Sequence, residues 1–385
     1  MTRLGDVLKI EASAKPAEGD KFWLLNLDMV EQQTGNVIDY NYVGRDALNG
    51  SIIQFDTDCV LYSKLRPNLN KVVLPNQDGF ATSEMLPLRP DTKVLKKEYL
   101  TVFLRSESFV TWAVSKTAGA KMPRLGTKEL LSKEIPLPSL LDQDQIALRF
   151  AKIDKLIALR KEQLAKLDQL VKSRFIELFG DPMANPMGWD RVNISAVVGG
   201  KVSNGFFAKR DDYRDGGNVK VLGVAHVVNR MYSNTEDLPT TNGTEADVVK
   251  YGLKYGDMLF CRSSLVAAGI GKASIVPKDT PNNVLFECHV IRLPLDLNKC
   301  VPEFMQVLST TDYFRNQVIA QSKTATMTTI GQDGILKTDI ILPPMEMQKK
   351  FLAFVEQTDK SKLAIQQSLK KLELLKKSLM QEYFG

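Results

Sequence analysis

Three cations and two amides fall within eight residues at Lys64-Leu65-Arg66-Pro67-Asn68-Leu69-Asn70-Lys71. Arg and Asn are the side chains that grip guanine and adenine edges through paired hydrogen bonds, and Lys suits phosphate oxygens. A second stretch of this kind, Lys116-Thr117-Ala118-Gly119-Ala120-Lys121-Met122-Pro123-Arg124, follows about fifty residues later. Both have a counterpart in the second half of the chain. Arg262-Ser263-Ser264, then Gly269 to Lys272, matches the first stretch, and Gln321-Ser322-Lys323-Thr324-Ala325-Thr326-Met327-Thr328 matches the second. Candidate contacts to a polyanion with hydrogen-bonding edges are therefore Lys64, Arg66, Asn68, Asn70, Lys71, Lys121 and Arg124 in the first half. In the second half they are Arg262, Ser263, Lys272, Lys323, Thr326 and Thr328. The competing reading of any one of them is an ordinary solvated loop residue, and Lys209-Arg210, beside Phe206-Phe207, fits that description best.

Catalytic chemistry has few carriers. His226 and His289 are the two histidines, which leaves almost no Ser-His or Cys-His arrangement to consider. Cys288-His289 reads as part of a strand, where adjacent side chains point to opposite faces. The cysteines, Cys59, Cys261, Cys288 and Cys300, are far apart and have no CxxC spacing, which speaks against a zinc site or a disulfide framework and fits a reducing cytoplasm. No phosphate-cradling glycine loop is present; Gly199-Gly200 and Gly269–Gly271 read as turns. The carboxylates are scattered, and no metal site is expected. Asp181-Pro182-Met183-Ala184-Asn185-Pro186-Met187 lacks the second Pro and the aromatic residue of an amino-methyltransferase motif. The N-terminal residues have no apolar stretch of the secretory kind, and no run of 18 apolar residues suggests a membrane span.

These loops need elements to hold them, and the elements are written twice. Residues 120–180 align with 325–385 at a constant offset of 205 without a gap. Matched pairs include Pro138 with Pro343, Gln143 with Gln348, Asp154-Lys155 with Asp359-Lys360, Leu167 with Leu372, and Phe179-Gly180 with Phe384-Gly385. An internal repeat of this kind decides architecture. Pro138 and Pro343-Pro344 mark helix starts, Ser139 with Asp142 suggests a capping box, and no Gly or Pro follows until Gly180 and Gly385. Roughly 40 residues make about 60 Å of helix. Apolar positions recur at heptad spacing: Ile146, Phe150, Ile153, Ile157, Leu164, Leu167, Val171 and Leu178, then Phe351, Val355, Ile365, Leu369, Leu372, Leu375, Leu379 and Tyr383. Such a seam packs on another helix. Arg160, Arg174, Lys362 and Lys376 interrupt it, which suits shorter or antiparallel packing; the competing reading is two ordinary core helices, each packed on its own domain.

The repeat unit is a globular domain followed by a long helix: 1–138, 139–180, 181–343 and 344–385. Strands are expected at Leu24–Leu27, Val60–Tyr62 and Lys71–Leu74, with helices at Glu98–Ser106 and Glu107–Thr117. In the second half, strands are expected at Val219–Val224, Asp257–Cys261, Ala273–Val276 and Val290–Leu293, and helices at Glu303–Leu308 and Asp312–Ser322. No regular βαβ alternation appears, so the fold class is α+β. The net charge of +6 comes from 51 basic and 45 acidic residues. Residues 1–138 and 181–343 are nearly neutral, with 18 basic against 17 acidic and 17 against 17, so the excess lies on the helices. Bulk charge alone announces no nucleic-acid partner.

Two diverging domains alternate with two similar long helices, each started by I-x-L-P (Ile135–Pro138 and Ile340–Pro343) and followed by Gln143 or Gln348, and Thr82–Leu88 reads T-S-E-M-L-P-L. Over its whole length this layout resembles the specificity subunits of type I restriction–modification systems. The resemblance implies two target recognition domains, each reading one half of a bipartite, asymmetric site in double-stranded DNA. It implies an antiparallel helical spacer that docks two modification (methyltransferase) subunits and recruits restriction/translocase subunits. S-adenosylmethionine, ATP and Mg2+ would be used by those partners and not by this chain, which would be non-catalytic. Base contacts differ among members, so no contacting residue is carried over. Two other readings stay open at this point: a coiled-coil protein-interaction scaffold without DNA readout, and a methyltransferase with a fused recognition domain.

Overall fold

A computed structural model of the chain describes every residue except Pro16, Ala17 and Ala120, so Ala120 of the second basic loop lies outside the described residues. The chain gathers into two compact units. Unit 1 comprises Met1–Glu162 with Gln366–Gly385, and unit 2 comprises Gln163–Ile365. Each has mixed helices and strands.

The two units share one wiring. In unit 1 an antiparallel sheet runs in the order Leu8–Ile10, Met85–Pro90, Val60–Ser63, Val72–Val73. In unit 2 the order Ser203–Asn204, Val290–Pro294, Asp257–Cys261, Ala273–Ile275 repeats it. A second sheet in each unit contains one parallel pair, Lys21–Leu25 with Gly79–Thr82 in unit 1 and Val219–Leu222 with Val284–Phe286 in unit 2. A helix pair follows, Lys97–Leu104 with Glu107–Ser115 and Pro302–Ser309 with Asp312–Ala320. Its second helix is capped identically: Ser106 Oγ accepts from the Phe109 amide (3.2 Å), and Thr311 Oγ1 accepts from Phe314 (3.4 Å). The internal repeat therefore extends through the globular parts, where the sequences diverge.

Each unit is closed by a short ladder before a long helix begins, Thr2–Arg3 against Glu134–Ile135 and Asp190–Asn193 against Asp339–Leu342. The long helices are Leu140–Phe179 and Met345–Phe384. Ser139 Oγ accepts from the Asp142 amide (3.2 Å) and donates to its carboxylate (2.6 Å), the capping-box-like start expected from the sequence. Gln143 and Gln348 explain their own recurrence. Gln143 is sealed from solvent; its Oε1 accepts from the Lys96 amide (2.9 Å) and its Nε2 donates to the carbonyls of Val94 and Pro138. Gln348 Oε1 accepts from Val301 (2.8 Å), and its Nε2 donates to Lys299 and Pro343. One side chain thus ties the helix start to the loop ahead of the helix pair, satisfying buried backbone groups.

Within each unit the long helices run antiparallel. In unit 1, Ile146, Phe150 and Ile153 are buried with Leu379 and Tyr383 packed nearby, Arg149 donates to Tyr383 Oη (2.6 Å), and Asp154 pairs with Lys376 at 2.6 Å. As the first helix advances from 149 to 154, its partner retreats from 383 to 376. In unit 2, Asp168 pairs with Lys362 at 2.7 Å, and Phe175 and Phe179 pack on Phe351. The seam cations Lys376 and Lys362 are thus answered by carboxylates of the facing helix. Val171 and Val355 are buried, while Ile157, Leu164, Leu167, Ile365, Leu369 and Leu372 are half-buried.

Several expectations need correction. Leu375 is exposed, with Lys376 taking the seam position beside it. The strand expected at Leu24–Leu27 is Lys21–Leu25, and Leu27–Met29 turns as a short 3-10 helix. The strand begun at Val219 ends at Leu222, because Val224–Val227 winds into a helical turn. Cys288-His289 is not in a strand; it forms the turn between Val284–Phe286 and Val290–Pro294.

Candidate nucleic-acid interface

The two basic loops, far apart in sequence, meet in each unit. In unit 1 the Leu125 amide donates to Lys64 O (2.9 Å), Arg66 N donates to Pro123 O (2.8 Å), and Leu65 bridges Arg124. In unit 2 the Ile330 amide donates to Arg262 O (3.0 Å), and Ser263–Ser264 pairs with Thr328–Thr329. These pairing bonds fall at matching places in both units and run between backbone groups. Behind them, Ser63 N donates to Lys71 O and Cys261 N donates to Lys272 O, which puts Lys71 and Lys272 at equivalent sites.

The side chains divide into two groups. Arg66 and Asn68 are exposed, and among the described residues neither side chain has a hydrogen-bond or ionic partner; Asn68 uses only its carbonyl, toward Gln33 Nε2. Arg66 and Asn70 both hold φ near 49°, in the left-handed region, bracketing the turn Pro67–Leu69. Such a backbone is costly for Arg and persists where its surroundings enforce it. Lys121 is exposed and without a partner among the described residues. Arg124 and Lys64 share Glu84: Arg124 donates to it from Nε and Nη2, the latter at 2.9 Å, and Lys64 Nζ lies 4.0 Å away. The remaining two candidates turn inward. Asn70 is buried, its Nδ2 donating to Arg105 O (3.1 Å). Lys71 donates to the Leu27 carbonyl, and burial lowers its pKa. These two side chains belong to the frame of the loop and not to its outer surface.

In unit 2, Arg262 Nη1 donates to Cys288 O (3.2 Å), and Ser263 Oγ lies 3.1 Å from His289 Nδ1. Lys272 Nζ donates to Asn229 Oδ1 (2.7 Å). Thr328 is buried against Thr324 Oγ1 (3.0 Å), whereas Lys323 and Thr326 are exposed. The tip of the first loop carries a different chemistry from its counterpart: Leu265 is 82% and Val266 63% exposed, and Phe207 is 70% exposed elsewhere in the unit. Sequence reading passed over Leu265 and Val266, because it looked for charge. Their signal was a Leu-Val pair between Ser263-Ser264 and Ala267-Ala268-Gly269, a setting of small and turn-forming residues that offers no core to fill.

Among the described residues no group of three or more His, Cys, Asp and Glu is gathered to hold a metal. Burial pushes the Cys59 thiol up to about 11 and Cys300 to about 12, away from the reactive thiolate range. Among the described residues no helix is long and apolar enough to cross a membrane.

Two units wired alike, with differing loop tips on a common joint, call for comparison with known proteins. Residues 1–169 and 186–376 match the family described as type I restriction modification DNA specificity domain. The chain belongs to that family. The specificity domain is thus present twice, as the internal repeat requires. Among curated relatives, the type I restriction enzyme EcoDI specificity subunit of Escherichia coli is 26% identical over 154 residues, covering 39% of this chain and 34% of that subunit. The MjaVIII specificity subunit of Methanocaldococcus jannaschii is 24% identical over 409 aligned residues, covering 99% of this chain and 90% of that subunit. The chain therefore spans about a third of the first relative's length and nine-tenths of the second's. Its fold is similar to that of the type I restriction–modification S subunit from M. genitalium, at a TM-score of 0.57, 12% identity, and coverage of 100% of this chain and 95% of that one. The specificity-subunit fold thus agrees with the α+β, doubly repeated architecture with paired long helices.

Proposed function

We propose that this specificity-family chain reads a bipartite, asymmetric site in double-stranded DNA, one half-site per unit, and has no catalytic role of its own. The observation that carries this is the loop joint, built twice by matching backbone bonds and tipped with different side chains: Arg66 and Asn68 in one unit, Leu265 and Val266 in the other. Arg and Asn suit guanine and adenine edges, while apolar tips suit the thymine methyl group. A shared frame with unlike tips is what two different half-sites need. Lys64, Arg124, Lys121, Lys323 and Thr326 border these tips and would meet phosphate and sugar.

The long helices act as the spacer that sets the gap between half-sites, as subunit geometry does in other two-headed readers. They also supply the docking surface for two modification subunits and, through them, restriction/translocase subunits. Supporting this, Leu141, Leu148, Leu156, Leu363 and Leu374 are exposed along the helices, where solvent-facing apolar groups favour a protein partner. S-adenosylmethionine, ATP and Mg2+ serve chemistry in those partners, in the cytoplasm.

The test is selection from a random duplex pool with the chain and whatever partners it retains on purification. Two short blocks separated by a fixed unread gap support the reading. No recovered motif would instead favour a protein-interaction scaffold, and a single continuous block would leave one unit without a DNA role.

A further inference from the structure

Unit 2 contains a cavity of about 390 Å³ whose charged lining is markedly one-sided. Lys172, Arg230, Lys272, Arg315 and Lys362 face it, against Asp168 as the one carboxylate. Among the described residues only Lys362 is neutralised, by Asp168 at 2.7 Å and Asp359 at 3.7 Å. Lys272 donates to a neutral amide, Asn229. Among the described residues Arg230 reaches only the carbonyls of Val228 and Ala225, both at 3.4 Å. Arg315 donates from Nη2 to Ala268 O (3.1 Å), and its Nη1 is shut off from solvent with no hydrogen-bond partner. Lys172 is exposed and has no ionic partner among the described residues.

The internal repeat marks this space as particular to unit 2. Thr310, on the cavity wall, corresponds to Arg105 at the 205-residue offset; each caps the end of the first helix of its helix pair. In unit 1 Arg105 folds inward and donates to Val72 O from Nε (3.2 Å) and Nη2 (2.6 Å). The chain's own guanidinium fills the corresponding space there. In unit 2 the shorter threonine leaves it open, and Ala273, the equivalent of Val72, lines the opening. Four cations without a carboxylate partner repel one another, and a multivalent anion relieves that repulsion.

We propose that this cavity binds a phosphate group, with Lys172, Arg230, Lys272 and Arg315 as its ligands. Its volume falls in the range of small-molecule sites. The phosphate comes either from the DNA backbone, in which case the site rests on the reading of the preceding section, or from a free phosphate-bearing molecule. Pyrophosphate titrations of the full chain at constant ionic strength, followed by calorimetry, test the binding itself. They are paired with the salt dependence of affinity for a selected duplex. The variants are Arg315→Gln and Lys172→Gln; the second lies on an exposed helix face and leaves the Ala268 contact intact. Pyrophosphate affinity falling at least fivefold in both variants, with an unchanged salt slope, assigns a free ligand. A slope reduced by about 0.9 for the lost contact assigns a DNA phosphate. Variants that match the parent chain in both measurements overturn the site. Failure of the DNA reading shows separately, as a parent chain that selects no duplex.

Discussion

Arg66 and Lys71 lie five residues apart in one basic loop, yet the structure gives them different work. Arg66 is exposed and unengaged, so Arg66→Ala removes a prospective base contact without opening the fold. The left-handed φ of 49° is no harder for Ala than for Arg, which keeps backbone strain out of the comparison. A bidentate Arg contact to guanine contributes about 1–3 kcal/mol of discrimination, so affinity for the half-site read by unit 1 falls roughly 5- to 150-fold. The preference of the other half-site is unchanged, and so is the melting temperature. Lys71→Ala should behave in the opposite way. Its ammonium donates to the Leu27 carbonyl, and truncation leaves that carbonyl unsatisfied. A charged hydrogen bond of this kind contributes about 2 kcal/mol, which lowers Tm by roughly 4–8 °C in a domain of this size. Calorimetric melting, with fluorescence anisotropy on duplexes mutated in one half-site at a time, separates the two effects. The reasoning is refuted if Arg66→Ala weakens both half-sites equally, or if Lys71→Ala relaxes sequence preference at an unchanged Tm.

Three further outcomes are expected. Replacing thymidine by deoxyuridine in the half-site read by unit 2 removes a methyl group from reach of Leu265 and Val266; at about 0.8 kcal/mol per buried carbon this weakens binding about fourfold, and Leu265→Ala with Val266→Ala should erase the difference. Equal binding of both duplexes by the parent chain would exclude apolar readout. Inserting seven residues after Lys161 and seven after Gln366 adds about 10 Å of helix, or about three base pairs of tolerated gap; selection that returns the original gap contradicts the spacer role. Asp56 is buried, and burial alone would raise its pKa, but hydrogen bonds from Arg89, Ser13 and the Asp58 amide hold it down at about 2. A depressed carboxylate stabilises the fold above its unfolded pKa near 4, and the contribution of roughly 2 kcal/mol is lost as pH falls from 4 toward 2. Asp56→Asn should therefore melt lower than the parent chain at pH 7, with the gap closing at pH 2–3; a gap independent of pH would show that charge plays no part.

The long helices were legible because their determinants are local. A Pro start, a heptad seam and a Gly stop lie within one segment and recur at one offset, and the first copy adds the Ser139–Asp142 cap. The seam cations suited shorter or antiparallel packing, and it is the structure that supplies Asp154 and Asp168 as the partners of Lys376 and Lys362. The sheets were harder. The parallel pairing of Lys21–Leu25 with Gly79–Thr82 joins strands separated by more than fifty residues, and nothing local announces it. The same limit governed the candidate interface. The sequence located both loops, but whether a cation faces outward depends on what distant segments bring to it. Leu27 O captures Lys71, Arg105 O captures Asn70, and Glu84 engages Arg124. Phe175 and Thr358, both buried on the long helices, were also missed, the first because Arg174 beside it was assigned to the seam.

Backbone bonding at the loop joint lets the two units diverge at their loop tips on one scaffold. Lys64 and Arg262 hold their partner strands through carbonyl oxygens, and Leu125 and Ile330 answer through amides. Any residue except proline can supply an amide at those positions, and every residue supplies a carbonyl. The loop tips are therefore released from the duty of holding the fold, while the buried groups that do hold it, Gln143, Gln348, Phe179 and Phe384, recur in both halves. Selection can exchange Arg66 and Asn68 for Leu265 and Val266 without disturbing the joint beneath them. This separation accounts for the pattern in the chain, where similarity concentrates in the helices and their starts, and difference concentrates at the surfaces that would meet a base pair.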